Sequence, residues 1–191
     1  GGTSNGKTEK GKLYALSFCF PYLADNDNGK WIIEPFFDDG ESRSNDLANY
    51  SVVFHAPDAF EVAISGNEKH ENGTIISTAE NMRDFAIVAC DFMKKETFEV
   101  NEIQINNYYL VGEHANEYKT ITKAVATDSI SLFTEHVGEY PYDELDIVPC
   151  LFGFGYGGME YPGFIMANAS SYFDGPFRDA ISLEDKISHE I

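Results

Sequence analysis

Residues 113–137, EHANEYKTITKAVATDSISLFTEHV, decide the fold. Within this segment apolar residues recur at nearly every fourth position, whereas in the sequence before it they recur at every second position. This spacing predicts a helix from about Glu113 to Val137, with Gly138 as its natural stop. The apolar residues expected on one face of the helix are Ile121, Ala124, Val125, Leu132, Phe133 and Val137.

The sequence before this helix is typical of antiparallel β structure, since short runs of β-branched and aromatic residues alternate with turn formers. The pair Asn28-Gly29, which is favoured in two-residue type I′ turns, predicts a hairpin between the runs 13–20 and 31–37. The same segment, DNDNG, is not an EF-hand loop, because its glycine comes one position too early and no Glu closes it. Further strands are predicted at 50–55, 60–64, 73–78, 85–91 and 98–110.

The sequence after the first helix contains both strands and a further helix. Strands are predicted at 145–150 and 164–167, and a second helix is predicted to begin at Ser182, with Asp185 completing a capping motif. Its apolar stripe consists of Leu183, Ile187 and Ile191. These patterns predict a mixed α+β fold. Residues 1–11 are expected to be a tag or linker, residues 12–112 a β domain, and residues 113–191 the opening of an α/β domain.

Composition limits the partners of the chain. Among 191 residues, 43% are apolar and 14% aromatic, which is typical of a globular protein rather than a disordered one. Thirteen Lys and Arg stand against 32 Asp and Glu, and the resulting net charge of −19 repels phosphate backbones and anionic lipids. Nucleic acid is therefore not an expected partner. No apolar run approaches the roughly 20 residues that a membrane-spanning helix needs, so none is expected.

The cysteines give a weak indication of compartment. Cys19, Cys90 and Cys150 are far apart, and each lies in an apolar, strand-like run, as buried free thiols commonly do. This pattern weakly favours a reducing, cytoplasmic environment.

Residues 153–158, GFGYGG, match the G-x-G-x-x-G pattern of dinucleotide-binding proteins. A helix must follow that pattern directly, since its N-terminus holds the pyrophosphate, and Pro162 and Gly163 prevent one here. The segment is instead a glycine-rich strand region that contains one carboxylate, Glu160. A carboxylate at an open strand edge could bind the α-amine of a peptide, although the spacing alone favours an ordinary hairpin with an exposed Glu.

The sequence ends with His189-Glu190-Ile191 on the second predicted helix. These residues match the start of H-E-x-x-H, in which two His bind zinc from one helix face and the Glu deprotonates the metal-bound water. Taken alone, this His-Glu pair is no more than an ordinary surface pair. Its combination with the glycine-rich segment is what indicates a function.

Residues 157–163, GGMEYPG, resemble the exopeptidase motif G-[AG]-M-E-N of the gluzincin zinc aminopeptidases, the group of the alanyl and puromycin-sensitive enzymes. The resemblance extends over roughly residues 12–191, and Tyr161 replaces the usual Asn. The other features found in the same order are Trp31, Glu34-Pro35, Pro57, the segment MRDFA at 82–86, Tyr140-Pro141-Tyr142 and LDIV at 145–148.

The resemblance implies a saddle-like β-sandwich domain at 12–112, followed by the first part of a thermolysin-like catalytic domain at 113–191. It implies that Glu160 binds the free amine of the substrate, while Gly157, Gly158 and Met159 form the strand along which the peptide lies. It also implies that His189 is a zinc ligand and Glu190 the general base. The expected partners are peptides with a free N-terminus.

A catalytic zinc needs about three protein ligands, and the motif supplies only His189 within this sequence. We therefore expect that the 191-residue chain holds no catalytic zinc, is inactive by itself, and self-associates through uncovered strand edges. Two alternatives stay open. One is a catalytically silent relative that binds peptides or acts as a scaffold, and the other is an unrelated β-rich adhesion or carbohydrate module.

Overall fold

The computed structural model describes residues 3–8, 11–33, 46–152, 157–169 and 180–191. These residues form a mixed α+β structure that is mostly strand. The elements are β1 (Thr3–Thr8), β2 (Gly11–Ser17), β3 (Asp25–Asp27), β4 (Lys30–Ile32), β5 (Ala48–His55), β6 (Glu61–Ile64), β7 (Asn67–Glu71), β8 (Thr74–Met82), β9 (Ala86–Cys90), β10 (Met93–Val100), β11 (Ile103–Leu110), α1 (Ala115–His136), β12 (Glu144–Cys150), β13 (Gly158–Tyr161), β14 (Phe164–Asn168) and α2 (Ala180–Glu190).

The strands form four sheets. Two of them, β1-β2-β9-β6 and β5-β8-β7, belong to the first part of the chain, together with the short hairpin β3-β4. The fourth sheet has the order β10-β11-β12-β14-β13, and it is parallel where β12 joins β11 and β14. The two outer pairs of this sheet, β10-β11 and β13-β14, are antiparallel.

The five-stranded sheet lies between the two helices and the first part of the chain. Asn107 of β11 donates from Nδ2 to the carbonyl oxygen of Lys119 in α1, at 3.4 Å. In the register of the sheet, Asn107 pairs with Ile147 of β12, and Ile147 pairs with Ile165 of β14. These three residues therefore lie on the face of the sheet that packs against the helices. Side chains on both faces join one core cluster, which extends to β2 and β9. A second cluster joins the sheet of β6 and β9 to that of β5 and β8.

Turn chemistry explains where two of the hairpins form. Asn28 and Gly29 have φ of 49° and 86°, which confirms the predicted turn. The predicted partner strand is wrong, because β4 pairs with β3, whereas the run 13–20 contains most of β2, which pairs with β1 and β9. Residues 34–37 of the second run lie outside the described ranges. The prediction of one continuous strand at 98–110 is wrong. Asn101 and Glu102 have φ of 50° and 66°, as a type I′ turn requires, and they divide this region into β10 and β11.

The first helix is confirmed at Ala115–His136, and Gly138 follows it with φ of 141°. The predicted buried face is only partly right. The buried residues of α1 are Tyr118, Thr122, Ala126, Ser129 and Ile130, whereas Leu132, Phe133 and Val137 are exposed. Periodicity selects a face, but burial requires a neighbouring element, and the last turns of α1 are not covered.

Three local expectations are corrected by the structure. Residues 3–8, expected to be tag or linker, form β1 and pair with β2, while residues 1–2 and 9–10 lie outside the described ranges. Helix α2 begins at Ala180, so Ser182 lies within it and is not its cap. Cys19 is exposed, unlike the buried Cys90 and Cys150, because the chain leaves the sheet after Ser17. Burial raises the pKa of the Cys90 thiol to about 12.

The change of period near residue 112 does not coincide with a change of sheet. Strands β10 and β11 precede residue 112, yet β11 pairs with β12 from the second half of the chain. Strands from both sides of residue 112 thus belong to one sheet.

Candidate functional site

The candidate site lies at one end of the five-stranded sheet, where β13 is the last strand in the sheet order. Gly158 is opposite Ala167 of β14, and the amide of Asn168 donates to the carbonyl oxygen of Gly157 at 2.9 Å. This pattern makes Gly158–Ala167 a non-hydrogen-bonded pair of the antiparallel ladder. The backbone N–H and C=O groups of Gly158 and Glu160 consequently point away from β14, towards the outer edge of the sheet.

The two sides of β13 have different environments, because alternate residues of a strand face opposite ways. Met159 and Tyr161 pack into the main core, and the ring of Tyr161 lies with its centroid 6.0 Å from that of Phe18. Burial raises the pKa of the Tyr161 hydroxyl. Tyr161 therefore anchors the strand, while Gly158 and the exposed Glu160 face the helical side.

Helix α2 packs on this side of the sheet. Leu183 and Ile187 are buried in the core, which confirms the predicted stripe, and Ile191 packs against the same cluster. A β-carbon on Gly158 would lie 2.7 Å from both Cγ and Cδ of Glu190, closer than real contacts allow. The absence of a side chain at Gly158 thus leaves room for the side chain of Glu190.

Lys186 lies one helical turn before Glu190 and faces the same strand. A β-carbon on Gly157 would be 3.5 Å from Cγ of Lys186, an ordinary van der Waals distance. Sequence reasoning did not identify this lysine. Its spacing of four residues from Glu190 is the signal that could have found it.

The structure brings together some of the predicted site residues and not others. Gly158 and Glu190 are in direct contact, and Gly157 is adjacent to them. Glu160 and His189 are both exposed, and within the part of the chain that the structure describes no hydrogen bond joins them. The side chains of Glu160, Lys186 and Glu190 make no ion pair with any other described residue.

We tested whether the described residues could hold a metal ion by themselves. No group of three or more His, Cys, Asp or Glu side chains among them has a suitable arrangement. His189, the ligand that the sequence motif provides, is exposed near the end of α2.

A buried polar cluster lies on the opposite face of the same sheet. Asn106 donates from Nδ2 to Oδ1 of Asp146 at 2.8 Å, and Gln104 donates from Nε2 to Oε2 of Glu144 at 2.7 Å. Burial, followed by repulsion from Glu144, raises the pKa of Asp146 well above its ordinary range. Burial also raises the pKa of Glu144.

Tyr108 completes this cluster from β11. Its side chain is 0% exposed, its hydroxyl has no hydrogen-bond partner among the described residues, and Lys95 Nζ lies 5.5 Å from its ring centroid. Lys95 also pairs with Glu68 of β7 at 3.3 Å. The cluster thus connects the first part of the chain with the five-stranded sheet, and it is remote from the helical face.

No protein-family model matches this sequence, and no curated protein matches it significantly. The two helices that the structure describes are each too short or too polar to cross a lipid bilayer.

Proposed function

We propose that this chain is part of a gluzincin-type zinc aminopeptidase, which removes the first residue of a peptide by means of activated water. In this proposal, residues 12–112 correspond to a saddle-like β-sandwich domain and residues 113–191 to the start of a thermolysin-like catalytic domain. The observation that carries the proposal is the contact of Gly158 with Glu190. Two motifs that are more than 25 residues apart, each weak by itself, come together in space as an exopeptidase site requires.

The outer edge of β13 supplies the peptide-binding surface. The outward N–H and C=O groups of Gly158 and Glu160 can pair with an extended peptide, which then adds a strand to the sheet. The exposed Glu160 carboxylate binds the α-amine by a charge-assisted hydrogen bond. Gly157 and Gly158 leave room for the side chains of Lys186 and Glu190 beside the peptide, and Met159 holds the strand by packing into the core.

Glu190 takes the role of general base in this proposal, because it contacts Gly158 at the start of β13, the strand along which the peptide lies. Its carboxylate takes a proton from the attacking water, which then adds to the carbonyl carbon of the first peptide bond. Zinc, when bound, would lower the pKa of that water and polarise the carbonyl. His189 would be one of its ligands, and the others would come from residues outside this sequence.

The proposal is tested on the polypeptide that carries this sequence together with the residues that follow Ile191. We expect it to hydrolyse aminoacyl-p-nitroanilides and peptides with a free amine, and not their N-acetylated forms. Glu190→Gln should lower kcat by a factor of at least about 10² because the general base is lost. Glu160→Gln should mainly raise KM.

Two outcomes would contradict this proposal in different ways. Binding of peptides through their amine without any hydrolysis would indicate the catalytically silent peptide-binding module. Failure to bind any peptide would favour an unrelated β-rich module. The absence of a His two residues after Ile191 would also contradict it.

A further inference from the structure

The charges along β13 are unevenly placed, and their order indicates which part of a peptide each one meets. Glu160 lies towards the end of the strand, Glu190 contacts Gly158, and Lys186 lies beside Gly157. The chain as a whole has only 13 basic residues against 32 acidic ones, so a cation next to two site carboxylates is notable.

The direction of a bound peptide follows from the proposed function, on which this inference rests. The α-amine binds Glu160, and the first peptide bond lies near the general base Glu190, which contacts Gly158. The peptide therefore runs from Glu160 towards Gly158, antiparallel to β13. With a rise of about 3.4 Å per residue, its second residue comes next to Gly157 and Lys186.

Lys186 has the properties of a recognition group at this position. It is partly buried on α2, and its Cγ lies 3.5 Å from the β-carbon position of Gly157. No described carboxylate neutralises it, and Glu190, one turn away on the same helix, forms no ion pair with it. An ammonium that makes no ion pair with the described residues favours an anionic group on the ligand, because the two form a charge-assisted hydrogen bond.

We propose that Lys186 is a specificity-determining residue that selects peptides with a carboxylate on the second residue. The carboxylate can come from an Asp or Glu side chain at that position, or from the free C-terminus of a dipeptide. In both cases the ammonium of Lys186 donates to the carboxylate, while Glu160 holds the amine at the other end.

Binding to the 191-residue chain tests this inference without any metal or turnover. The probes are Ala-Glu-Ala-amide against Ala-Gln-Ala-amide, and Ala-Ala against Ala-Ala-amide, measured by isothermal titration calorimetry. We expect each carboxylate peptide to bind about tenfold more tightly than its amide partner, with a smaller difference at high salt. A preference in only one of the two pairs identifies which source of the carboxylate Lys186 meets.

Three variants separate the possible explanations. Lys186→Met keeps the length of the side chain and should reduce the preference to within about twofold, whereas Lys186→Arg should keep most of it. Glu160→Gln should weaken all four peptides equally, because it acts on the shared amine.

The outcomes distinguish this inference from the proposed function. Equal binding of carboxylate and amide peptides by the native chain would overturn the role of Lys186. The proposed function would survive that result if binding still required a free amine and Glu160. No binding of any of the four peptides would overturn both.

Discussion

A β-carbon on Gly158 would lie 2.7 Å from Cγ and Cδ of Glu190, so the strand and the helix of the candidate site meet at a residue that has no side chain. Gly158 does not have a positive φ, so the backbone itself would accept another residue there. The reason for glycine at position 158 is therefore space rather than backbone conformation. The side chain of Glu190, to which we assign the role of general base, occupies the space that another side chain would need.

Gly158→Ala should displace the Glu190 side chain at little cost to the fold, because the atoms that must move belong to the end of a flexible side chain. We expect the free energy of unfolding to change by less than about 1 kcal/mol. The carboxyl resonance of Glu190 in NMR spectra should shift. Gly157→Ala is the matched control, since its β-carbon would make only an ordinary contact at 3.5 Å with Lys186. Equal effects of the two variants on the Glu190 resonance would contradict the steric explanation.

Asp146→Asn should flatten the dependence of stability on pH. The raised pKa of Asp146 means that the folded protein keeps a proton which the unfolded chain releases above its ordinary pKa of about 3.9. Its favourable contribution to folding is present below that pH and is lost as the pH rises towards the raised pKa. The variant removes this titration and keeps an oxygen that can accept from Asn106.

Urea unfolding between about pH 4.5 and 8 measures this effect. We expect Asp146→Asn to be more stable than the native protein at the upper end of this range, with a smaller slope. Asp143→Asn, a change at an exposed position just before β12, should leave the slope unaltered. An unchanged slope in Asp146→Asn would show that the carboxyl is not the source of the pH dependence.

Tyr108→Phe should stabilise the protein. The hydroxyl of Tyr108 is buried without a hydrogen-bond partner among the described residues. Folding therefore removes its hydrogen bonds to water and does not replace them. We expect the free energy of unfolding to rise by about 1 kcal/mol. Tyr109→Phe is the control, because it removes a hydroxyl from a residue that is only partly buried. The aromatic ring, whose centroid lies 4.8 Å from Lys119 Nζ, is retained. A loss of stability in Tyr108→Phe would indicate that the hydroxyl has a partner after all.

The 191-residue chain should contain no stoichiometric zinc, since its site offers one imidazole where a catalytic zinc needs about three protein ligands. Elemental analysis of the purified, dialysed chain checks this expectation. His114→Ala, at a partly buried histidine that lies 3.7 Å from Glu117 at the start of α1, controls for incidental binding to another imidazole. Zinc at one equivalent that disappears in His189→Ala and persists in His114→Ala would overturn the expectation.

Besides strand edges, self-association should involve the end of α1, where Leu132 is 52% and Val137 85% exposed. Exposed apolar side chains of this kind favour association in water. Leu132→Lys combined with Val137→Lys should shift the chain towards monomer in light scattering across micromolar concentrations. Ser131→Lys places the same charge on an exposed polar position and should have little effect. A native chain that is already monomeric throughout this range would contradict the prediction.

The sequence by itself determined the elements whose signals are local. The spacing of apolar residues predicted α1 and the buried stripe of α2, and Asn28-Gly29 predicted the turn between β3 and β4. Such features need only the period of the backbone or the φ preference of one residue, both of which can be read within a short window. The turn at Asn101-Glu102 was not predicted, because strand-like residues continue on both sides of it.

Only the tertiary structure decided which segments meet. Periodicity gave α1 a stripe of apolar residues but could not say that its last turns would stay exposed, since burial depends on what packs there. The sheet order β10-β11-β12-β14-β13 arises from hydrogen bonds between distant segments, and this order puts Gly158 and Glu160 on the outermost of the described strands. The positions of Glu190 against Gly158 and Lys186 beside Gly157 depend in the same way on the packing of Leu183 and Ile187 into the core, which sets the rotation of α2 about its axis.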